Sequence, residues 1–193
     1  LWDNGKLVVE HATPDEVEAE IRAQLDRCLS MGLTPTHLDT HMGVVYDSPA
    51  FLERYIKVGA EKGIPVMAPG GHAQFLAQES PELAGSIREL GQKVWALGLP
   101  VLDDLHTGYG CESEKDKKAQ IIQFLKTMKP GLTQFIVHGT RPSEIFHFIS
   151  GSGPMRLAEL EALTSPEVKK VLEEEGIILT TWRELKQRRD AVK

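Results

Sequence analysis

Three residues whose side chains can bind a metal ion or move a proton alternate in the segment Thr36-His37-Leu38-Asp39-Thr40-His41. We predict that this segment is a β-strand, on which His37, Asp39 and His41 would share one face. Burying three such groups together costs free energy unless they are paired or bound to a metal. Imidazole nitrogens and carboxylate oxygens together suit a catalytic divalent ion. A single histidine in a strand is more often a core or surface residue, but the alternation of three puts a metal or acid–base site on equal terms with that interpretation.

A further histidine, His138, directly follows an apolar strand predicted at residues 133–137. Active sites of parallel α/β folds form at the C-terminal ends of strands, which is where both His138 and His41 would lie. An imidazole has an ordinary pKa of about 6.5 and can act as a general acid or base. The alternative for His138 is a ring that hydrogen-bonds to the backbone of the following loop.

Two other segments could line the same pocket. Asp103 begins the segment Asp103-Asp104-Leu105-His106, which follows a strand predicted at residues 99–102. We interpret this segment as a solvated loop and Asp103 as a candidate contact to substrate. His72 follows Gly70-Gly71 in a loop and is a second candidate contact to substrate.

The elements that must position these residues alternate along the chain. Helix starts are indicated by an N-capping residue followed by proline, or by a capping box. These starts lie at Thr13, Ser48, Ser80, Ser165 and Thr181. Short apolar strands are predicted at residues 36–40, 64–67, 99–102, 133–137 and 177–180. Apolar strands separated by helices predict one α/β domain over residues 1–193, with a mainly parallel sheet that is either open or barrel-like.

Composition and the motifs that are missing argue against several classes of function. The net charge is −6 with no basic block, so we expect no nucleic acid or anionic membrane as partner, and no apolar run is long enough to span a bilayer. Cys28 and Cys111 form no CxxC pair, which fits a reducing compartment and predicts a cytoplasmic location. Serine-nucleophile elbows, P-loops and dinucleotide turns do not occur. Apolar helix faces leave room for a homodimer.

The segment from Pro35 to Gly43 resembles the central motif of the YdjC-like carbohydrate deacetylases. The helix around residues 20–24, the strand Phe135-Ile136-Val137-His138 and the ordered segments 156–167, 176–179 and 182–185 are similar to that family as well. The resemblance covers nearly all of the chain, although Gly139 stands where the family usually has proline. The family's opening Asp-Asp-Phe-Gly turn, and the Gly-x-His segment that the family has after it, do not occur ahead of the central motif. We therefore expect this chain to be the C-terminal two-thirds of the family's fold, with the N-terminal strands absent.

The resemblance implies an irregular, barrel-like (β/α) fold and a metal-dependent hydrolase that removes N-acetyl groups from amino sugars or chito-oligosaccharides. By the same resemblance, His41 is a metal ligand and His138 is the catalytic acid. Asp39, a second candidate catalytic residue, and His37, a candidate substrate contact, would orient the ligand set or meet the substrate. The cofactor would be a divalent ion, Mg²⁺ or Zn²⁺, and the partner a small carbohydrate.

Two alternatives stay open at this point. One is a truncated or degenerate homologue that binds a sugar or a protein without catalysis. The other is a different metal-dependent hydrolase such as a phosphoesterase, for which a basic residue near the metal would be needed. Arg141 is the only basic residue close to either His41 or His138 in sequence.

Overall fold

The computed structural model describes residues 2–79, 84–108 and 114–192. Its α-helices are α1 (Gly5–His11), α2 (Pro14–Ser30), α3 (Pro49–Lys62), α4 (Gln74–Glu79), α5 (Ala84–Ala96), α6 (Lys117–Thr127), α7 (Phe146–Ile149), α8 (Gly153–Leu163), α9 (Pro166–Glu174) and α10 (Trp182–Ala191). The strands are β1 (Asp104–Thr107) and β2 (Thr133–Ile136), and 3-10 turns cover His41–Asp47 and Glu114–Asp116. In the described ranges no helix is both long and apolar enough to cross a membrane.

The helix starts predicted from local sequence are confirmed wherever the structure describes them. The Thr13 N–H donates to Glu16 Oε2 at 2.8 Å, and the Glu16 N–H donates to Thr13 Oγ1 at 3.3 Å, which completes the capping box of α2. Thr181 and Glu184 form the same box at the start of α10. The predicted start at Ser80, like Cys111, lies outside the described residues.

The chain divides into two compact units. Unit one comprises residues 2–71, 85–102 and 180–192 of the described chain, and unit two comprises residues 72–79, 84, 103–108 and 114–179.

The core of unit one lies between α3, α5 and the segments that run past them. Its buried members are Val45, Phe51, Tyr55, Ile56, Val66, Ala68, Val94 and Leu99. Gly70 and Gly91 pack backbone to backbone, since a Cβ built on Gly70 would lie 2.3 Å from the Gly91 Cα. This approach brings α5 close to the segment that follows Val66.

A charge network joins α2 to α3 on the surface of unit one. The Glu18 carboxylate lies 2.7 Å from the Arg22 guanidinium and 2.9 Å from the Lys57 ammonium. Hydrogen bonds from Lys57 and Arg22 lower the pKa of Glu18 to about 2.

Strands are shorter in unit one than the sequence predicts. The strands predicted at residues 36–40, 64–67 and 99–102 are reduced to two isolated parallel bridges, Leu38 with Val66 and Pro69 with Leu102. The strand predicted at residues 177–180 is wrong, because this segment has no strand pairing and Ile178 is 87% exposed. Apolar β-formers make a strand only where a neighbouring backbone supplies the hydrogen-bond partners.

Unit two is built on the parallel pair β1 and β2, whose register runs from Asp104 opposite Thr133 to Thr107 opposite Ile136. Helices α6, α8 and α9 pack together around a core of Ile121, Phe124, Leu125, Ala162, Val168 and Val171. The interpretation of the segment Asp103–His106 as a solvated loop is wrong, because most of it is β1 and Asp104 is 0% exposed. The predicted α/β class with parallel strands is confirmed.

Candidate functional site

The backbone of Leu38 anchors the histidine-rich segment of unit one. Its N–H donates to Pro65 O at 2.8 Å, and its carbonyl accepts the Tyr55 hydroxyl at 2.5 Å and the Met67 N–H at 3.2 Å. The Tyr55 hydroxyl also accepts the Met67 N–H at 2.9 Å. Tyr55 is 1% exposed, so these bonds fix the backbone between His37 and Asp39 from inside the core.

His37 is half-buried beside α10. Its ring stacks on Trp182 with 5.0 Å between centroids, and its Nδ1 lies 3.1 Å from Thr36 Oγ1. Burial lowers the pKa of His37, and the negative charge of Asp39 offsets this only in part. His37 is therefore an uncharged imidazole at neutral pH.

Asp39 lies close to the phenols of Tyr46, which is half-buried, and Tyr55, which is buried. Burial raises the pKa of both Tyr46 and Tyr55, and the negative charge of Asp39 raises both further. The Tyr46 hydroxyl donates to the Met67 carbonyl, and Asp39 Oδ1 accepts the Thr40 N–H at 2.7 Å. Both phenols therefore stay protonated and act as hydrogen-bond donors.

His41 is exposed and begins the 3-10 segment that leads to α3. Met42 and Gly43 have φ values of 56° and 69°, so the chain turns sharply just after His41. The predicted strand thus ends before His41, which is the first residue of the 3-10 segment. No group of three His, Cys, Asp or Glu side chains able to hold a metal ion is present among the residues that the structure describes.

A buried carboxylate and a histidine meet in unit two. Asp104 Oδ2 lies 3.6 Å from His72 Nδ1 and accepts the Phe75 N–H at 3.0 Å. The Gln74 N–H donates to His72 Nδ1 at 3.3 Å, which places the proton of the neutral ring on Nε2. That Nε2 is buried and has no hydrogen-bond partner within the described ranges. Asp103 instead accepts the Leu132 N–H at 2.7 Å and holds the turn that leads into β2.

His106 sits in an aromatic cluster on β1. Its ring lies 4.5 Å from Phe124, 4.6 Å from Phe75 and 5.6 Å from Phe135, measured between centroids. Burial lowers the pKa of His106, and the nearby Lys117 ammonium lowers it further, against the opposing charge of Asp104.

His138 follows β2 and is half-buried. Its backbone N–H donates to Glu159 Oε2 at 2.7 Å. The other carboxylate oxygen of Glu159 lies 3.4 Å from Lys117 Nζ, and Lys117 donates to the Gly108 carbonyl. Lys117 and Glu159 are 1% and 3% exposed, so a buried ion pair holds the ends of both strands of unit two.

An open cavity of about 700 Å³ begins two residues beyond His138. Its polar lining includes Thr140, Arg141, His147 and Glu161, and Phe146 lies among the apolar residues of its wall. A volume of this size is within the range of small-molecule sites.

Residues 1–174 match the profile of the family described as YdjC-like protein. The chain belongs to the YdjC-like protein family. The predicted resemblance is therefore confirmed.

The YdjC-like chain is similar to several curated relatives named carbohydrate deacetylase. The relative from Brevibacillus brevis is 28% identical over 174 residues, which are 90% of this chain and 63% of that protein. The relative from Thermus thermophilus is 28% identical over 91% of this chain and 62% of its own length. The chain thus spans less than two-thirds of these relatives.

A solved structure shares the fold. The crystal structure of a protein of Enterococcus faecalis V583, proposed to cleave cellobiose phosphate, has a TM-score of 0.68 and 22% identity to the YdjC-like chain. The match covers 93% of this chain and 64% of that one. It supports the predicted barrel-like α/β fold in partial form.

The sequence missed several residues that shape the candidate site of the YdjC-like chain. Tyr55, Lys117 and Glu159 were not predicted to be near it, whereas Asp104 belongs to a segment that is predicted to line the pocket. A signal for Lys117 existed, because it shares the helical face of Ile121, Phe124 and Leu125 in α6. The predicted site residues lie in two sets, with His37, Asp39 and His41 in unit one and His72, Asp103 and His138 in unit two.

Proposed function

We propose that this chain forms part of a carbohydrate deacetylase, a hydrolase that converts an N-acetylated amino sugar and water into acetate and a free amino sugar. The observation that carries the proposal is the match of 90% of the chain to relatives named carbohydrate deacetylase. The placement of His138 at the C-terminal end of β2 supports it, because a proton donor is needed where such sites form.

His138 would supply the proton on which the reaction depends. The acetamide nitrogen leaves as an amine only if it gains a proton when the carbon–nitrogen bond breaks. A general acid with a pKa near the working pH does this best, and an imidazolium fits that requirement. The His138 ring would give its proton to the departing nitrogen and recover one from the attacking water as acetate forms.

The unit-one segment would contribute binding and orientation. His37, kept neutral by burial, can donate or accept one hydrogen bond without adding charge. Asp39 would orient neighbouring polar groups or the substrate. His41 is proposed as one ligand of a divalent ion, Mg²⁺ or Zn²⁺. The ion would polarise the acetamide carbonyl, and the residues that the structure describes do not by themselves supply a full set of ligands for it.

A separate set of substrate contacts is proposed at the N-terminal ends of β1 and β2, the opposite end of the ladder from His138. His72 Nε2 carries a proton, is buried and lacks a partner among the described residues, so it could donate to a sugar or acetyl oxygen. The Asp103 carboxylate already accepts a backbone N–H, which leaves it able to accept a second hydrogen bond from a sugar hydroxyl.

The proposal is tested by measuring acetate release from N-acetylglucosamine oligomers with the natural full-length protein. His138→Ala should lower kcat by about 10²- to 10⁴-fold, the usual contribution of a general acid. Lys170→Ala is the control, since Lys170 is an exposed residue of unit two that does not line the cavity. Unchanged kcat in His138→Ala would remove that residue from the mechanism. Sugar binding without acetate release would instead support a binding domain, and release of phosphate from a sugar phosphate ester in a parallel assay would support a phosphoesterase.

Metal content is a separate test. His41→Ala should lower the amount of Mg²⁺ or Zn²⁺ retained after dialysis, whereas His11→Ala, a change at another exposed histidine of unit one, should not. Equal metal retention by both variants would exclude His41 as a ligand.

A further inference from the structure

In the parallel ladder of β1 and β2 the hydrogen bonds recur every second residue, so the position of the next bond can be predicted. The Asp104 N–H donates to Leu132 O at 3.2 Å, and the Gly108 N–H donates to Ile136 O at 3.0 Å. With Thr107 opposite Ile136, the next bond of a continuing ladder joins the His138 N–H to the Gly108 carbonyl.

The structure has an ion pair in place of that bond. The Gly108 carbonyl accepts from the Lys117 ammonium, and the His138 N–H donates to the Glu159 carboxylate at 2.7 Å. The two side chains meet at 3.4 Å between Lys117 Nζ and Glu159 Oε1. Both backbone groups that would have bonded to each other are thus satisfied by charged side chains.

The two charged side chains that take the place of the backbone hydrogen bond are both buried. Lys117 and Glu159 are 1% and 3% exposed, and a buried charge is tolerated only with close partners of this kind. Gly108 leaves the room that the carboxylate needs, since a Cβ there would lie 3.3 Å from Glu159 Oε1 and 3.2 Å from Ile136 O.

We propose that the Lys117–Glu159 pair is a wedge that replaces the last rung of the β1–β2 ladder and thereby positions His138. The pair holds the two strand ends apart by the width of two side-chain groups, where a peptide hydrogen bond would draw them together. The backbone of His138 is thus fixed by Glu159 rather than by β1. Lys117 and Glu159 are positioning residues, and their effect on catalysis rests on the function proposed above for His138.

NMR of the full chain tests the wedge without any assay of activity. Wild-type protein should show no coupling across a hydrogen bond between the His138 amide nitrogen and the Gly108 carbonyl carbon. In the double variant Lys117→Met/Glu159→Leu, the ladder should close, so that this coupling appears and the chemical shift of the His138 amide proton changes. A Gly108–His138 coupling in the wild-type protein would by itself overturn the proposal, whether or not the variants fold.

The consequence for catalysis is tested by measuring how fast the natural protein releases acetate from N-acetylglucosamine oligomers. Displacing His138 should lower kcat of the double variant by about 10- to 100-fold with little change in KM, because a small misplacement of a catalytic group is costly. The matched control is Lys118→Met/Glu167→Gln, which removes an exposed ion pair of 2.7 Å and should leave both the His138 amide shift and kcat unchanged.

The outcomes separate the wedge from the proposed function. Full kcat in a double variant whose ladder has closed would show that the wedge does not position the catalytic group. Absence of acetate release from wild-type protein would overturn the proposed function alone, since the NMR result still decides whether the wedge exists.

Discussion

Tyr55→Phe removes one oxygen atom from the centre of unit one and tests what anchors the histidine-rich segment. The hydroxyl makes two hydrogen bonds, donating to Leu38 O at 2.5 Å and accepting from the Met67 N–H at 2.9 Å. A typical hydrogen bond contributes about 1 kcal/mol net. Leu38 O and the Met67 N–H keep their mutual bond of 3.2 Å, so neither buried group is left without a partner.

Losing these two hydrogen bonds should lower the free energy of unfolding by about 1–2 kcal/mol, since no full desolvation penalty is added. With a slope of about 2 kcal/mol per M of urea, the midpoint should fall by about 0.5–1 M and the slope should not change. Tyr55→Leu also removes the ring from a site that is 1% exposed, so its loss should be about 3–5 kcal/mol, as for other large-to-small core changes.

Tryptophan fluorescence is a suitable assay because the three tryptophans of the chain, Trp2, Trp95 and Trp182, all lie in unit one. Tyr46→Phe is the comparison variant: its hydroxyl makes the one described hydrogen bond to the buried Met67 carbonyl, so its removal leaves that carbonyl without a described donor and should cost about 1–3 kcal/mol. A Tyr55→Phe midpoint equal to that of wild type would refute the anchoring role. If Tyr55→Phe lost as much unfolding free energy as Tyr55→Leu, the hydrogen bond between the Met67 N–H and Leu38 O would not be enough to satisfy these two groups, and the estimate would be refuted.

Three further outcomes are expected. Gly70→Ala should lower unfolding stability by about 1–3 kcal/mol or more in urea titrations, because its Cβ would meet Gly91 Cα at 2.3 Å. Glu18 has a pKa of about 2 when paired with Lys57, against 4.5 unpaired, so its stabilisation is complete above pH 4.5 and is lost as pH falls towards 2. Acid-unfolding curves of Glu18→Gln should therefore be flatter between those values. Burial should make His106 titrate below 6.5 in an NMR pH series, so that protonation favours the unfolded state and stability falls as pH drops below 6.5; a value above 6.5 would contradict the described packing.

Helix starts were predictable because their physics is local. The N-capping threonines Thr13 and Thr181 bond to backbone and side-chain groups three residues away, so the sequence contains the whole interaction. The helix stop at Gly63 is local for the same reason, since its φ of 64° favours glycine.

Strand extent could not be predicted in the same way. Residues 36–40 and 177–180 were both predicted as strands, yet the first makes a bridge through Leu38 and the second makes none. A strand needs a partner backbone from elsewhere in the chain, and apolar periodicity does not say where that partner will be.

The sequence by itself determined the family, the helix starts and the placement of His138 at the end of a strand. Tertiary packing decided which charges are buried, since Asp104 stands beside Asp103, Lys117 beside Lys118 and Glu159 two residues from Glu161, and composition alone does not say which of each pair is buried. A carboxylate or ammonium tolerates burial only when an opposite charge or several hydrogen-bond donors and acceptors reach it, and in this chain those partners come from other helices and strands. Packing therefore determines the environment of His138, whereas the sequence alone shows that a histidine follows a strand at this position.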